Sequence, residues 1–77
     1  MKNQTIEEKI KLIEQAIYNG VAVLISNYHS VKSKTYKDRR VYPVKIKGDN
    51  VLCADMDLGG EWRQFKFDRM QGNIYMI

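Results

Sequence analysis

Between Trp62 and Met70 the chain reads Trp-Arg-Gln-Phe-Lys-Phe-Asp-Arg-Met, and a period of two sets Arg63, Phe65, Phe67 and Arg69 on one strand face. Guanidinium groups suit phosphate, because each planar fork offers two parallel donors that an ammonium does not. With both rings turned into a core, the arginines are expected at opposite ends of the row, roughly 20 Å apart at about 3.3 Å per residue. That layout would grip something anionic and extended.

The same arginines have an ordinary alternative. Asp55, Asp57 and Asp68 lie within reach of cross-strand pairing, and such pairs stabilise a sheet by roughly 0.2–1 kcal/mol each. Charge is unevenly spread along the 77 residues, whose net charge is +4. Residues 32–47 carry seven bases against Asp38 alone, and the flanking segments hold no excess. Lys32, Lys34, Lys37 and Arg40 would surround a basic site with a sequence-independent field; a solvated face that keeps a small protein in solution is the plainer reading.

Catalytic signals are weak. His29 is the only histidine and Cys53 the only cysteine, too few for a structural zinc site or an oriented Cys-His nucleophile. Cys53 reads as a small core residue and His29 as solvated surface. Asp55 and Asp57 share a strand face in this reading, but acids beside a turn more often blunt an edge or face water than do acid-base work. No enzyme activity, cofactor or metal is expected. One cysteine excludes an internal disulfide, and no apolar leader or spanning run is seen, so a cytoplasmic protein without a membrane partner is expected.

The elements that must position these groups follow from pattern. Thr5-Ile6-Glu7-Glu8 fits a capping box, Ile6, Ile10, Ile13 and Ile17 form an apolar stripe widened by Leu12 and Ala16, and Asn19-Gly20 is a stop. A helix is therefore expected over about 5–19, its other face rich in Glu and Lys. Strands are expected over about 21–28, 38–47, 50–57, 61–68 and 73–77, bounded by turn signals at Gly48-Asp49-Asn50, Leu58-Gly59-Gly60 and Gly72. Residues 29–37 read as a loop or a ragged hairpin, and Pro43 demands an edge, bulge or bend. A domain of this size buries only about 60% of the surface its unfolded chain exposes. One α+β, mostly β domain spanning 1–77 satisfies these limits: a helix followed by a five-stranded antiparallel barrel of SH3-like or Sm-like type.

Three stretches carry a family resemblance: the helix end and strand from Ile17 to Tyr28, the run Arg39-Arg-Val41-Tyr-Pro43, and Arg63-Gln-Phe65-Lys-Phe67-Asp68-Arg69-Met70, with Leu52 between. Over about 12–70 the chain resembles a WYL domain. The resemblance implies a bacterial or phage origin, the same small barrel, and a ligand-sensing role commonly attached to helix-turn-helix regulators that answer to nucleic acid or nucleotide-like ligands. It also implies that Arg39, Arg63 and Arg69 face the ligand and that Tyr28 ends the first strand beside it. There Tyr28 would either stack on a base or sit half-buried in the barrel wall. The triplet that names the family reads Asn50-Val51-Leu52 here, and only one helix fits in the first twenty residues, so a stand-alone module, a fragment or a small accessory protein is expected rather than a complete regulator.

Two functions follow as expectations. One is a non-catalytic module that binds single-stranded nucleic acid or a nucleotide through Tyr28, Arg39, Arg63, Arg69, Lys37 and Arg40, in transcriptional or phage and defence control. The other is an Sm-like interaction or homo-oligomerisation module working through its barrel edges and Trp62, which is either exposed or laid over the helix.

Overall fold

The structure, a computed structural model, describes residues 3–30 and 34–77. Helix α1 spans Ile6–Asn19, and both halves of its capping box are formed: the Glu8 amide donates to Thr5 Oγ1 (3.1 Å) and the Thr5 amide to Glu8 Oε1 (2.9 Å). Gly20 closes it in the left-handed region, φ 65°, which a glycine adopts without a Cβ clash.

The buried line of α1 is rotated from the isoleucine stripe. Lys9, Ile13 and Ala16 are the residues it buries, whereas Ile6 is 50% exposed. The cause is a polar anchor. Lys9 Nζ donates to the Met70 carbonyl, and burial holds its pKa below the ordinary lysine value. A lysine expected on the solvated face thus ties the helix to the seam of the barrel.

Five antiparallel strands follow: β1 Val23–Ser30, β2 Thr35–Lys47, β3 Asn50–Asp55, β4 Glu61–Lys66 and β5 Ile74–Met76. Their order in the sheet is β4-β3-β2-β1-β5. Inward positions at period two supply the core: Val23 and Ile25, Val41, Val51 and Cys53, Phe65, and Ile74, closed by Ile13 and Ala16 of the helix. Each large side chain buried there stabilises the fold by roughly 1.5–3 kcal/mol. His29 and Ser30 prove to be strand rather than loop, paired with Tyr36 and Thr35 at the start of β2; Lys32 lies outside the described residues.

Two bulges and two 3-10 turns bend the sheet into its barrel-like form. The β2–β3 register shifts between Pro43 and Lys45, where the imide nitrogen has no proton to give the ladder. A second shift falls in β1 between Ile25 and Tyr28. There Asn27 takes φ 52°, a conformation Asn tolerates, and its amide donates to Asp38 Oδ1 (3.0 Å). β3 and β4 end earlier than pattern suggests, in 3-10 turns at Met56–Leu58 and Phe67–Arg69. After the second turn the chain meets β1 again: Met70 bridges to Tyr28, and Gly72 passes so close to Ser26 that an added Cβ would lie 2.8 Å from the Ser26 carbonyl oxygen.

Candidate functional site

The second 3-10 turn creates the site. A strand through Arg69 would have sent the two arginines of the opening motif to opposite ends of a row. Instead the turn folds the chain back after Lys66, and Arg63 and Arg69 line one cleft of about 290 Å³ together with Tyr28, Ser30, Arg39, Gln64 and Phe65. The expectation of arginines roughly 20 Å apart along one strand is corrected here: Phe67 is buried, but it belongs to the turn, not the strand.

Each wall has its own cause. The β1 bulge inserts one residue, so Tyr28 faces inward with Val23 and Ile25 rather than outward. Its ring meets Phe65 edge-on, centroids 4.9 Å apart at 87°, and its hydroxyl accepts the Lys66 amide (2.9 Å) where β4 runs out of ladder. At 8% exposure, Tyr28 offers the cleft a hydroxyl edge and no open ring face. It is a barrel residue.

Arg39 reaches the cleft from β2, two residues before inward-facing Val41. Its side chain is 18% exposed, and Nη1 lies 3.7 Å from Oδ2 of Asp55, which is fully buried. That is an ion-pair distance but longer than a hydrogen bond; Arg39 Nε and Asp55 Oδ2 have no hydrogen-bond partner. Asp55 Oδ1 accepts the Asp57 amide (3.0 Å), capping the first 3-10 turn. Arg63 and Arg69 differ: among the described residues neither has a carboxylate within ion-pair distance. The pairing foreseen for them with Asp55, Asp57 or Asp68 falls to Arg39 and Arg40 instead.

Not every basic candidate comes together. Arg40, one residue out of phase with Arg39, points to the opposite face, where its Nη2 and Nε bond Asp57 Oδ1 at 2.7 and 3.2 Å. That hydrogen bonding holds the Asp57 carboxyl below its ordinary range. Lys37 stands opposite Tyr28 in the register and is exposed, but does not line the cleft. Asp55 and Asp57, foreseen on one strand face, are parted because the 3-10 turn that Asp55 caps contains Asp57, which leaves one buried and the other on the outer side. No cluster of three or more metal-ligating side chains occurs among the described residues. Burial and the neighbouring Asp55 push the Cys53 thiol up to about 12, so it stays protonated. His29 is not a loop residue: it sits in β1 with its ring stacked on Tyr36, centroids 4.8 Å apart. Trp62 is 62% exposed and does not cover the helix.

Ser30 and Gln64 were missed. Counting two from Tyr28 would have found Ser30; Gln64 enters because β4 is an edge strand, which sequence does not reveal. A larger groove of about 400 Å³ runs between α1 and β2, lined by Ile17, Tyr18, Val44 and Ile46 with Glu14 and Lys45. Two opposite charges at an apolar surface give it less chemistry than the arginine cleft.

No family model matches the sequence, and no curated protein matches it. No helix among the described residues is long and apolar enough to cross a membrane. Among solved structures, the proteasome accessory factor B/C (PafBC) of Arthrobacter aurescens is similar over 97% of this chain, with a TM-score of 0.74 and 18% identity. The match takes in 12% of that longer protein. At this identity the likeness establishes the fold: one helix and a five-stranded antiparallel barrel-like sheet, shared with one portion of PafBC.

Proposed function

We propose that this chain is a non-catalytic regulatory binding module that takes single-stranded nucleic acid, or a nucleotide-like anion, in the cleft of Arg39, Arg63 and Arg69. The observation that carries the reading is the convergence of three arginines from β2, β4 and the turn after it, two of them without an acidic partner among the described residues. Unpaired arginines cost little when hydrated and gain charge-assisted hydrogen bonds when an anion arrives. The WYL resemblance adds a ligand-sensing role in bacterial or phage regulation. Fluorescence anisotropy with a labelled oligonucleotide over a salt series tests it: affinity should fall steeply with salt, and Arg63→Ala and Arg69→Ala should each weaken binding and flatten the salt slope by about one. No binding at low salt would remove the nucleic-acid reading.

A second reading rests on the outer face of the sheet. Trp62, Ala54 and Tyr42 stand in one cross-strand row that runs from the edge strand β4 to the central strand β2, and Trp62 and Tyr42 are both exposed. Aromatic residues so placed suit a protein partner or a second copy of the chain. Sedimentation at several concentrations decides: a monomer whose Trp62→Ala form keeps all partner binding would sink this reading.

A further inference from the structure

We infer that the arginine cleft reads a terminal phosphomonoester, the phosphorylated end of a single strand or of a mononucleotide, in preference to the internal phosphodiesters of a chain. This rests on the proposed anion-binding function and narrows it. The first ground is charge. Arg39 is compensated by buried Asp55, and among the described residues Arg63 and Arg69 have no such carboxylate, so the cleft presents two positive charges beyond that pair. A phosphomonoester carries about two negative charges at neutral pH, whereas each internal diester carries one.

The second ground is what the cleft lacks. Its rings, Tyr28 and Phe65, are 8% and 3% exposed and locked edge-to-face, which leaves no ring face on which a base can stack. Of the exposed aromatics, Trp62 beside Arg63 and Tyr36 opposite His29 stand next to cleft residues, and both are out of phase with them and point to the other face of the sheet. Recognition must then come from polar donors. Tyr28 accepts the Lys66 amide at its oxygen and keeps its own proton to give, and Ser30 and Gln64 line the same space. The hydroxyls of Tyr28 and Ser30 and the two guanidiniums match the several oxygens of a phosphate end.

The test is anisotropy with short labelled oligothymidylates that are identical except for a phosphate or a hydroxyl at the unlabelled end, with thymidine monophosphate as competitor. The phosphorylated strand should bind about tenfold tighter, the scale of one strong charge-assisted contact. In Arg63→Gln and Arg69→Gln, whose side chains hold no ion pair among the described residues, that preference should collapse while the circular dichroism spectrum stays unchanged. Competition by the monophosphate assigns the preference to the phosphate group alone; failure to compete, with the preference intact, assigns it to a phosphorylated chain end, and both support the inference. Equal affinity for the two strands overturns it and leaves the nucleic-acid reading standing, whereas absence of binding to either strand overturns both.

Discussion

The Arg39 guanidinium lies 3.7 Å from a fully buried Asp55 carboxylate, two residues along β2 from Val41, which faces Asp55 directly across the ladder. The carboxylate does two jobs: one oxygen steadies Arg39 and the other caps the 3-10 turn through the Asp57 amide. Asp55→Ala removes both and leaves a mostly buried cation. It should cost about 3 kcal/mol in urea denaturation, the low end for breaking a buried pair. Asp55→Asn keeps an acceptor for the cap and should cost less.

Lys9 gives a pH signature at the other end of the scale. Burial lowers its pKa in the folded state below the unfolded value near 10.5, so between those two values the unfolded chain binds more protons and stability rises with pH. The penalty for charging Lys9 is fully present at lower pH and disappears as pH climbs to the unfolded pKa. Lys9→Met should remove that rise. The readout is the difference in unfolding free energy between wild type and variant from neutral pH to about 10.5.

Arg40 and Asp57 form an outer-face pair that has no part in the cleft. Arg40→Ala should return the Asp57 carboxyl upward toward its ordinary value of 3.8, measured by NMR of the carboxyl carbon. Affinity for a labelled oligonucleotide should change little beyond the loss of one distant charge. A large drop would place Arg40 in the site after all.

Gly72 is required by proximity, not by backbone angle. Its amide donates to the Ser26 carbonyl (3.2 Å), and a Cβ there would lie 2.3 Å from Ser26 Oγ and 2.8 Å from that carbonyl oxygen. The backbone atom cannot swing away. Gly72→Ala should destabilise by about 1–3 kcal/mol, as overpacking does, with thermal unfolding as the measurement.

Local signals with a single physical cause were legible. Thr5 and Glu8 could cap only one helix, Pro43 could only interrupt a ladder, and the alternation in β3 and β4 put Cys53 and Phe65 inside. What pattern could not reveal depends on long-range docking. Lys9 is buried because the Met70 carbonyl waits for it sixty-one residues away, and no periodicity announces such a partner. The inward turn of Tyr28 depends on a bulge at Asn27 fixed by Asp38 on the neighbouring strand. The candidate site shows the same split: Arg39, Arg63 and Arg69 stood out together through the WYL resemblance, but the strand reading set Arg63 and Arg69 at opposite ends of a row. The tyrosine hydroxyl that takes the last β4 amide, and the 3-10 turn that follows, bring them together.

That convergence is most directly tested by following the arginine Nε–Hε resonances during titration with a terminally phosphorylated single-stranded oligonucleotide at low salt. The expected result is that Arg39, Arg63 and Arg69 shift together and saturate with one affinity while Arg40 moves little. Shifts centred on the Trp62 indole and the Tyr42 face, or no shift in the three cleft arginines, would contradict it.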